Sequence, residues 1–141
     1  LWLDRDYRKA QPLLEELVRL EPESAELNYE LGDTLLRVES AEKSIPYPEK
    51  AVKSSPTLLP AHASLATAYL RLGPAEEAIP HLRAALAIDE NGSLYYLLAR
   101  AYEKVGQEGL ARQNLQKFEQ ISKSARPRRQ RFFEDRQITP P

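Results

Sequence analysis

Residues 65–86 read LATAYLRLGPAEEAIPHLRAAL, and they hold both halves of the element from which the chain is built. Leu65, Ala66, Tyr69 and Leu72 recur at three- and four-residue spacing, the stripe of an amphipathic helix. Gly73-Pro74 breaks that helix. Ala78, Ile79, Leu82, Ala85 and Leu86 then lay down a second stripe. The stretch predicts a helix, a tight turn and a second helix.

Outward from this stretch, the same pattern returns at a fixed offset. Leu31-Gly32 stands 34 positions before Leu65-Ala66, and Ser44-Ile45-Pro46 stands 34 before Ala78-Ile79-Pro80. Ala10, Pro12 and Leu17 lie a further 34 upstream of Ser44, Pro46 and Ala51. Downstream, Leu98-Ala99 and Ala111 answer Leu65-Ala66 and Ala78 at an offset of 33. Many matches at one period identify a repeat architecture. The spacing predicts helices over 24–38, 41–54, 58–72, 75–89, 93–105 and 107–123, with 6–20 as the second helix of an earlier repeat. Pro22 and Pro56 close their repeats, where proline cannot continue a helix. The register makes Leu1, Trp2 and Leu3 the tail of a truncated first helix, an apolar edge that invites a homodimer.

The pattern resembles the tetratricopeptide repeat family. That family places a small residue eight positions into its first helix, as Gly32, Ala66 and Ala99 do here, and a large one three further on, matched by Leu35, Tyr69 and Tyr102. A small residue early in the second helix is matched by Ala10, Ser44, Ala78 and Ala111. The resemblance implies an all-α fold, a right-handed α-solenoid of antiparallel helix hairpins. Residues 1–24 are then the second helix of a truncated repeat, 25–58, 59–91 and 92–125 whole repeats, and 126–141 a C-terminal cap or tail. Two departures stand out. Asn28 and His62 occupy a slot where the family prefers a large apolar residue, and Pro48 stands where Leu14, Leu82 and Leu115 stand in sister repeats. Pro48 is expected to kink the helix at 41–54, or to delay its start, and to forgo the burial of a leucine.

Composition excludes several function classes. The 141 residues carry 20 Lys and Arg against 21 Asp and Glu, a net charge of −1 that excludes a generally basic nucleic-acid binder. Arg126, Arg128, Arg129 and Arg131 precede Phe132-Phe133, but Glu134 and Asp135 dilute this run, and the two Phe are expected to cover the open end of the last repeat. No nucleic acid and no membrane span is expected. With no cysteine, disulfides, Cys-ligated zinc and a Cys nucleophile are excluded, while cytoplasm and periplasm both remain compatible. With no methionine, the chain is expected to be a processed or excised piece of a longer protein. His62 and His81 have no metal-ligand spacing, and His62 reads as a satisfied, half-buried histidine. Gly-rich phosphate loops and Gly-x-Ser-x-Gly are absent. The expectation is a protein without catalytic residues, metal or cofactor.

The resemblance also implies where a ligand goes. First helices of the family line a concave groove, which puts Tyr29, Asp33 and Arg37, then Thr67 and Arg71, then Tyr96, Arg100 and Lys104 on the groove face. Arg37, Arg71 and Lys104 would form a basic row for an acidic or extended peptide. Some members clamp the C-terminal carboxylate of heat-shock chaperones. The matching slots here hold Tyr29, Asp33, Ser64, Ser93 and Leu97, and an unpaired Asp33 would repel a carboxylate. The expected function is a protein-interaction scaffold binding a peptide or protein segment, and the resemblance to plain repeat arrays with Ala-Ile-Pro openings implies a larger bacterial protein. The alternatives are a homo-oligomerisation module or a regulatory domain of an enzyme.

Overall fold

The computed structural model describes the backbone of residues 2–135 and the side chains of residues 6–124. It comprises α1 (Trp2–Leu20), α2 (Ala25–Val38), α3 (Ala41–Ser44), α4 (Pro46–Ser54), α5 (Leu59–Leu72), α6 (Ala75–Ala85), a 3-10 turn η1 (Leu86–Ile88), α7 (Ser93–Lys104) and α8 (Glu108–Asp135). The described residues contain no strand. The helices gather into two bodies, one up to Ile88 and one from Asp89 onward.

Two expectations about the ends need correcting. Trp2 and Leu3 are the first turn of α1 and not a separate helix, because no Gly or Pro stands between Leu3 and Tyr7 to end one. Leu1 and the side chains of Trp2 and Leu3 lie outside the described residues. The last helix runs past the expected 123 to Asp135. The side chains of the Arg126–Arg131 run and of Phe132 and Phe133 also lie outside the described residues.

In the N-terminal body, α2 packs on α1, α3 and α4, and α5 packs on α6 and on the α2–α4 hairpin. The small slots permit this approach. Ala66, Ala78 and Ser44 are fully buried at the helix crossings, and Ser44 Oγ donates to the Gly32 carbonyl at 2.7 Å. Leu36, Ala41 and Ala68 form a cluster between α2, α3 and α5, with Ile45 packed against it. Side-chain oxygens start two of the helices: Ser24 Oγ accepts from the Leu27 N–H and Ser40 Oγ from the Lys43 N–H.

The helix at 41–54 is split, as its prolines require. Pro46 and Pro48 have no N–H to give to Glu42 and Ser44, so α3 ends at Ser44 and α4 starts at Pro46, with Ile45 still in helical conformation between them. The expected loss of burial does not occur. Pro48 is among the fully buried side chains, and its ring lies over Gly32. An alanine Cβ at Gly32 would stand 2.5 Å from Pro48 Cδ. Glycine and proline are thus fitted to each other here, whereas the sister repeat pairs Ala66 with Leu82, both buried.

The two departures at the fourth slot share one purpose. Asn28 is 2% exposed, and its Nδ2 donates to the carbonyls of Pro22 at 3.0 Å and Ser24 at 2.7 Å. His62 Nε2 meets the carbonyl of Pro56 at 2.8 Å. Each side chain reaches six residues back and satisfies the carbonyl of the proline that closes the preceding repeat.

In the C-terminal body, α7 packs on α8 and buries Leu94, Leu98, Ala99, Ala101 and Tyr102. Gly92 enters α7 at φ 85°, with the site of a Cβ 3.1 Å from Phe118 Cδ2, so only glycine suits this turn.

Candidate functional site

Five of the candidate groove residues share one cleft in the N-terminal body. Tyr29, Asp33 and Arg37 from α2 and Thr67 and Arg71 from α5 line a depression of about 350 Å³, with Pro60, Ser64 and Ile88 at its borders. The local reason is helical spacing: residues four apart on each helix point to the same side, and α2 and α5 lie against each other.

Its polar groups are tied together before any ligand arrives. Arg37 Nε donates to Asp33 Oδ2 at 3.1 Å, and Ser64 Oγ donates to Asp33 Oδ1 at 2.9 Å. Asp33 is therefore not the unpaired carboxylate expected from sequence, because Arg37 lies one turn further along the same face. Arg71 donates through Nη1 to the Leu36 carbonyl at 2.9 Å, one of the last carbonyls of α2 and without an intrahelical partner. The Arg37 guanidinium also lies 4.8 Å from the Tyr7 ring centroid. Burial, and then the Asp33 charge, raises the Tyr29 hydroxyl above the usual tyrosine range, so Tyr29 is a neutral hydrogen-bonding group. The cleft carries two cations against one carboxylate.

The remaining candidates belong to the C-terminal body. Tyr96 and Arg100 line a cleft of about 440 Å³ between α7 and α8 with Glu103, Glu108, Arg112 and Leu115. Its charges balance, two of each sign. Tyr96 is 41% exposed and its ring stands 5.3 Å from that of Phe118. Lys104 lies in the last turn of α7 and is not part of that lining. Of the basic row, Arg37 and Arg71 therefore share one cleft and Lys104 belongs to the other body.

Sequence reasoning missed Ser64 as the second partner of Asp33, the Leu36 carbonyl as the partner of Arg71, and the meeting of His62 with His81. No sequence pattern signals them, since each spans two helices. Among the described residues no group of three or more His, Cys, Asp or Glu could hold a metal ion, and no helix is long and apolar enough to cross a membrane.

Hairpins with small residues at every crossing and polar clefts on the first helices define a helical-repeat interaction scaffold. Models of the tetratricopeptide repeat match residues 2–58, 59–91 and 92–124, and the chain belongs to that family. Among solved structures it is similar to MamA of AMB-1, at 23% identity and a TM-score of 0.73, covering 83% of this chain and 70% of that one. It is also similar to MamA from Desulfovibrio magneticus RS-1, at 24% identity and a TM-score of 0.74, covering 82% and 66%. YrrB, described as a TPR protein with an unusual peptide-binding site, aligns at 22% identity and a TM-score of 0.72, covering 84% and 62%. These likenesses speak to the fold. No curated protein matches the sequence.

Proposed function

We propose that the chain is a non-catalytic scaffold that holds an extended peptide with acidic side chains in the cleft between α2 and α5. The observation that carries this reading is the convergence of Arg37 and Arg71 on one depression in which the single carboxylate, Asp33, is already engaged. The remaining guanidinium N–H groups suit a carboxylate, while Tyr29 and Thr67 offer hydrogen bonds and contact area. The peptide-binding description of YrrB supports the reading by analogy of fold.

The test is selection of peptides from a displayed library on the wild-type protein, followed by calorimetry. Arg71→Glu is expected to weaken the selected peptides by on the order of 1–3 kcal/mol and to reduce the salt dependence of binding. Arg71 also tethers α5 to α2, so Thr67→Trp, which fills the cleft without adding charge or replacing that side chain, is the companion variant. Equal affinity for wild type and both variants, each with an unchanged melting curve, overturns the reading.

One observation favours a second reading, self-association. Leu13, Leu17 and Leu20 form a stripe on α1 at 69%, 43% and 63% exposure. Apolar surface of this extent tends to meet another surface. Light scattering over a concentration series is expected to show a dimer that Leu13→Lys with Leu20→Lys dissociates. A wild-type monomer at all concentrations excludes it.

A further inference from the structure

His62 and His81 are 19 residues apart, on α5 and α6, and the turn at Gly73-Pro74 folds them onto each other. Their Nδ1 atoms face at 2.8 Å and the ring centroids are 5.0 Å apart. Two lone pairs cannot make that contact, so one nitrogen carries a proton and donates. The second nitrogen of His62 settles which. Nε2 lies 2.8 Å from the Pro56 carbonyl, and a carbonyl only accepts, so Nε2 carries the proton of neutral His62. In the neutral pair His62 Nδ1 is the acceptor and His81 Nδ1–H is the donor.

This arrangement has room for one added proton and no more. The first goes to His81 Nε2 and leaves both hydrogen bonds in place. A second has to go to His62 Nδ1, whose lone pair is engaged by His81. It breaks the bond and leaves two cations in contact. We infer that the His62–His81 pair is an acid-operated latch on the α5–α6 hairpin, closed with no proton or one added and forced open by the second. The latch does not depend on what the neighbouring cleft binds, but α5 carries Thr67 and Arg71, so opening disturbs one wall of that cleft.

The surroundings do not cancel the effect. The Tyr69 ring of α5 stands 6.1 Å from His81, and its hydroxyl donates to Glu49 of α4 at 2.9 Å. Among the described residues, the carboxylates acting on His81 are Glu49 and, from its own helix, Glu77; both favour its cation. Burial is the largest influence on His81, and the balance holds it below the ordinary histidine value. The other elements against α5, namely α2, α3 and η1, place no charge that acts on His81. Burial and Glu49 push the Tyr69 hydroxyl up to about 12, so it does not titrate in this range. The unfolded chain takes up two protons near the usual histidine value of about 6.5, and the closed latch takes up at most one. The unfolded state thus binds more protons, and stability falls as pH drops below about 6.5 and is level above it.

Sister repeats supply the control. Asn28 occupies the slot of His62 and makes the same carbonyl bond, and Tyr47 occupies the slot of His81. His62→Asn with His81→Tyr therefore keeps the bond to the Pro56 carbonyl and removes both histidines from the hairpin. Between about pH 7.5 and about pH 5, the wild-type melting temperature is expected to fall by on the order of 5–10 °C, and that of the double variant to change by much less. Nitrogen-detected imidazole spectra of the wild type, which has only these two histidines, are expected to show at most one imidazolium per folded molecule at about pH 5. An equal fall in wild type and variant, or two imidazolium rings in the folded protein with the hairpin intact, overturns the inference. If the double variant does not fold, the wild-type spectra decide.

Discussion

Gly32→Ala is expected to destabilise the N-terminal body by about 2 kcal/mol, although glycine to alanine inside a helix ordinarily gains about 1 kcal/mol. The added Cβ would stand 2.5 Å from Pro48 Cδ, 3.2 Å from Tyr47 Cβ and 3.3 Å from the Pro48 nitrogen. A proline ring joined to the main chain at both ends cannot swing aside as the tip of a flexible side chain can. Relief requires α4 to move off α2, which pulls on the end of α3 just before it and strains the Ser44 bond to the Gly32 carbonyl. Pro48→Leu alone is expected to stabilise by about 1–2 kcal/mol, by returning an N–H to the Ser44 carbonyl. Burial adds little, since Pro48 is already buried. In the leucine background Gly32→Ala should become neutral or favourable, as the buried Ala66–Leu82 pair of the sister repeat shows to be possible. A double-mutant cycle by urea denaturation should therefore give a coupling of about 2–3 kcal/mol. Additive effects of the two substitutions would show that the ring is not what Gly32 accommodates.

Asn28→Leu is the second large effect, and it runs against family preference. Leucine suits the slot by resemblance and by volume, yet the substitution is expected to cost about 2 kcal/mol. Asn28 Nδ2 bonds two carbonyls inside the body. The Ser24 carbonyl keeps the Asn28 backbone N–H as a donor, but the Pro22 carbonyl loses its side-chain donor. Asn28→His, which copies His62 and its bond to the Pro56 carbonyl, should lose less than half as much. Urea denaturation followed by circular dichroism checks both; an Asn28→Leu protein as stable as wild type would mean the bonds contribute nothing net.

How much of this was legible beforehand divides along a physical line. The hairpins, their period and their small crossing residues were legible because each helix writes its buried face into its own sequence. Ala66, Ala78 and Ala99 stand at fixed spacing whatever surrounds them, and Gly73-Pro74 ends a helix by local geometry alone. The break near Pro48 was legible for the same reason, since a missing N–H is a property of the residue. The length of α8 was not, because Pro127 stands four residues past the expected end at Lys123 and reads as a breaker, yet the helix runs through it to Asp135.

The slots facing the cleft could be assigned from the family register, but not what those side chains do there. Asp33 reads as a bare carboxylate, and only the placement of α5 on α2 gives it Ser64, 31 residues away. Pro48 reads as a defect until its ring is seen over Gly32, and two histidines without metal spacing become a hydrogen-bonded pair only across the α5–α6 turn. Sequence by itself determined the helices, their repeat and the faces they bury, because backbone hydrogen bonding and hydrophobic periodicity act within a few residues. Tertiary structure alone decided which polar groups satisfy one another, because a hydrogen bond between helices depends on ångström-scale placement that no spacing within one helix records.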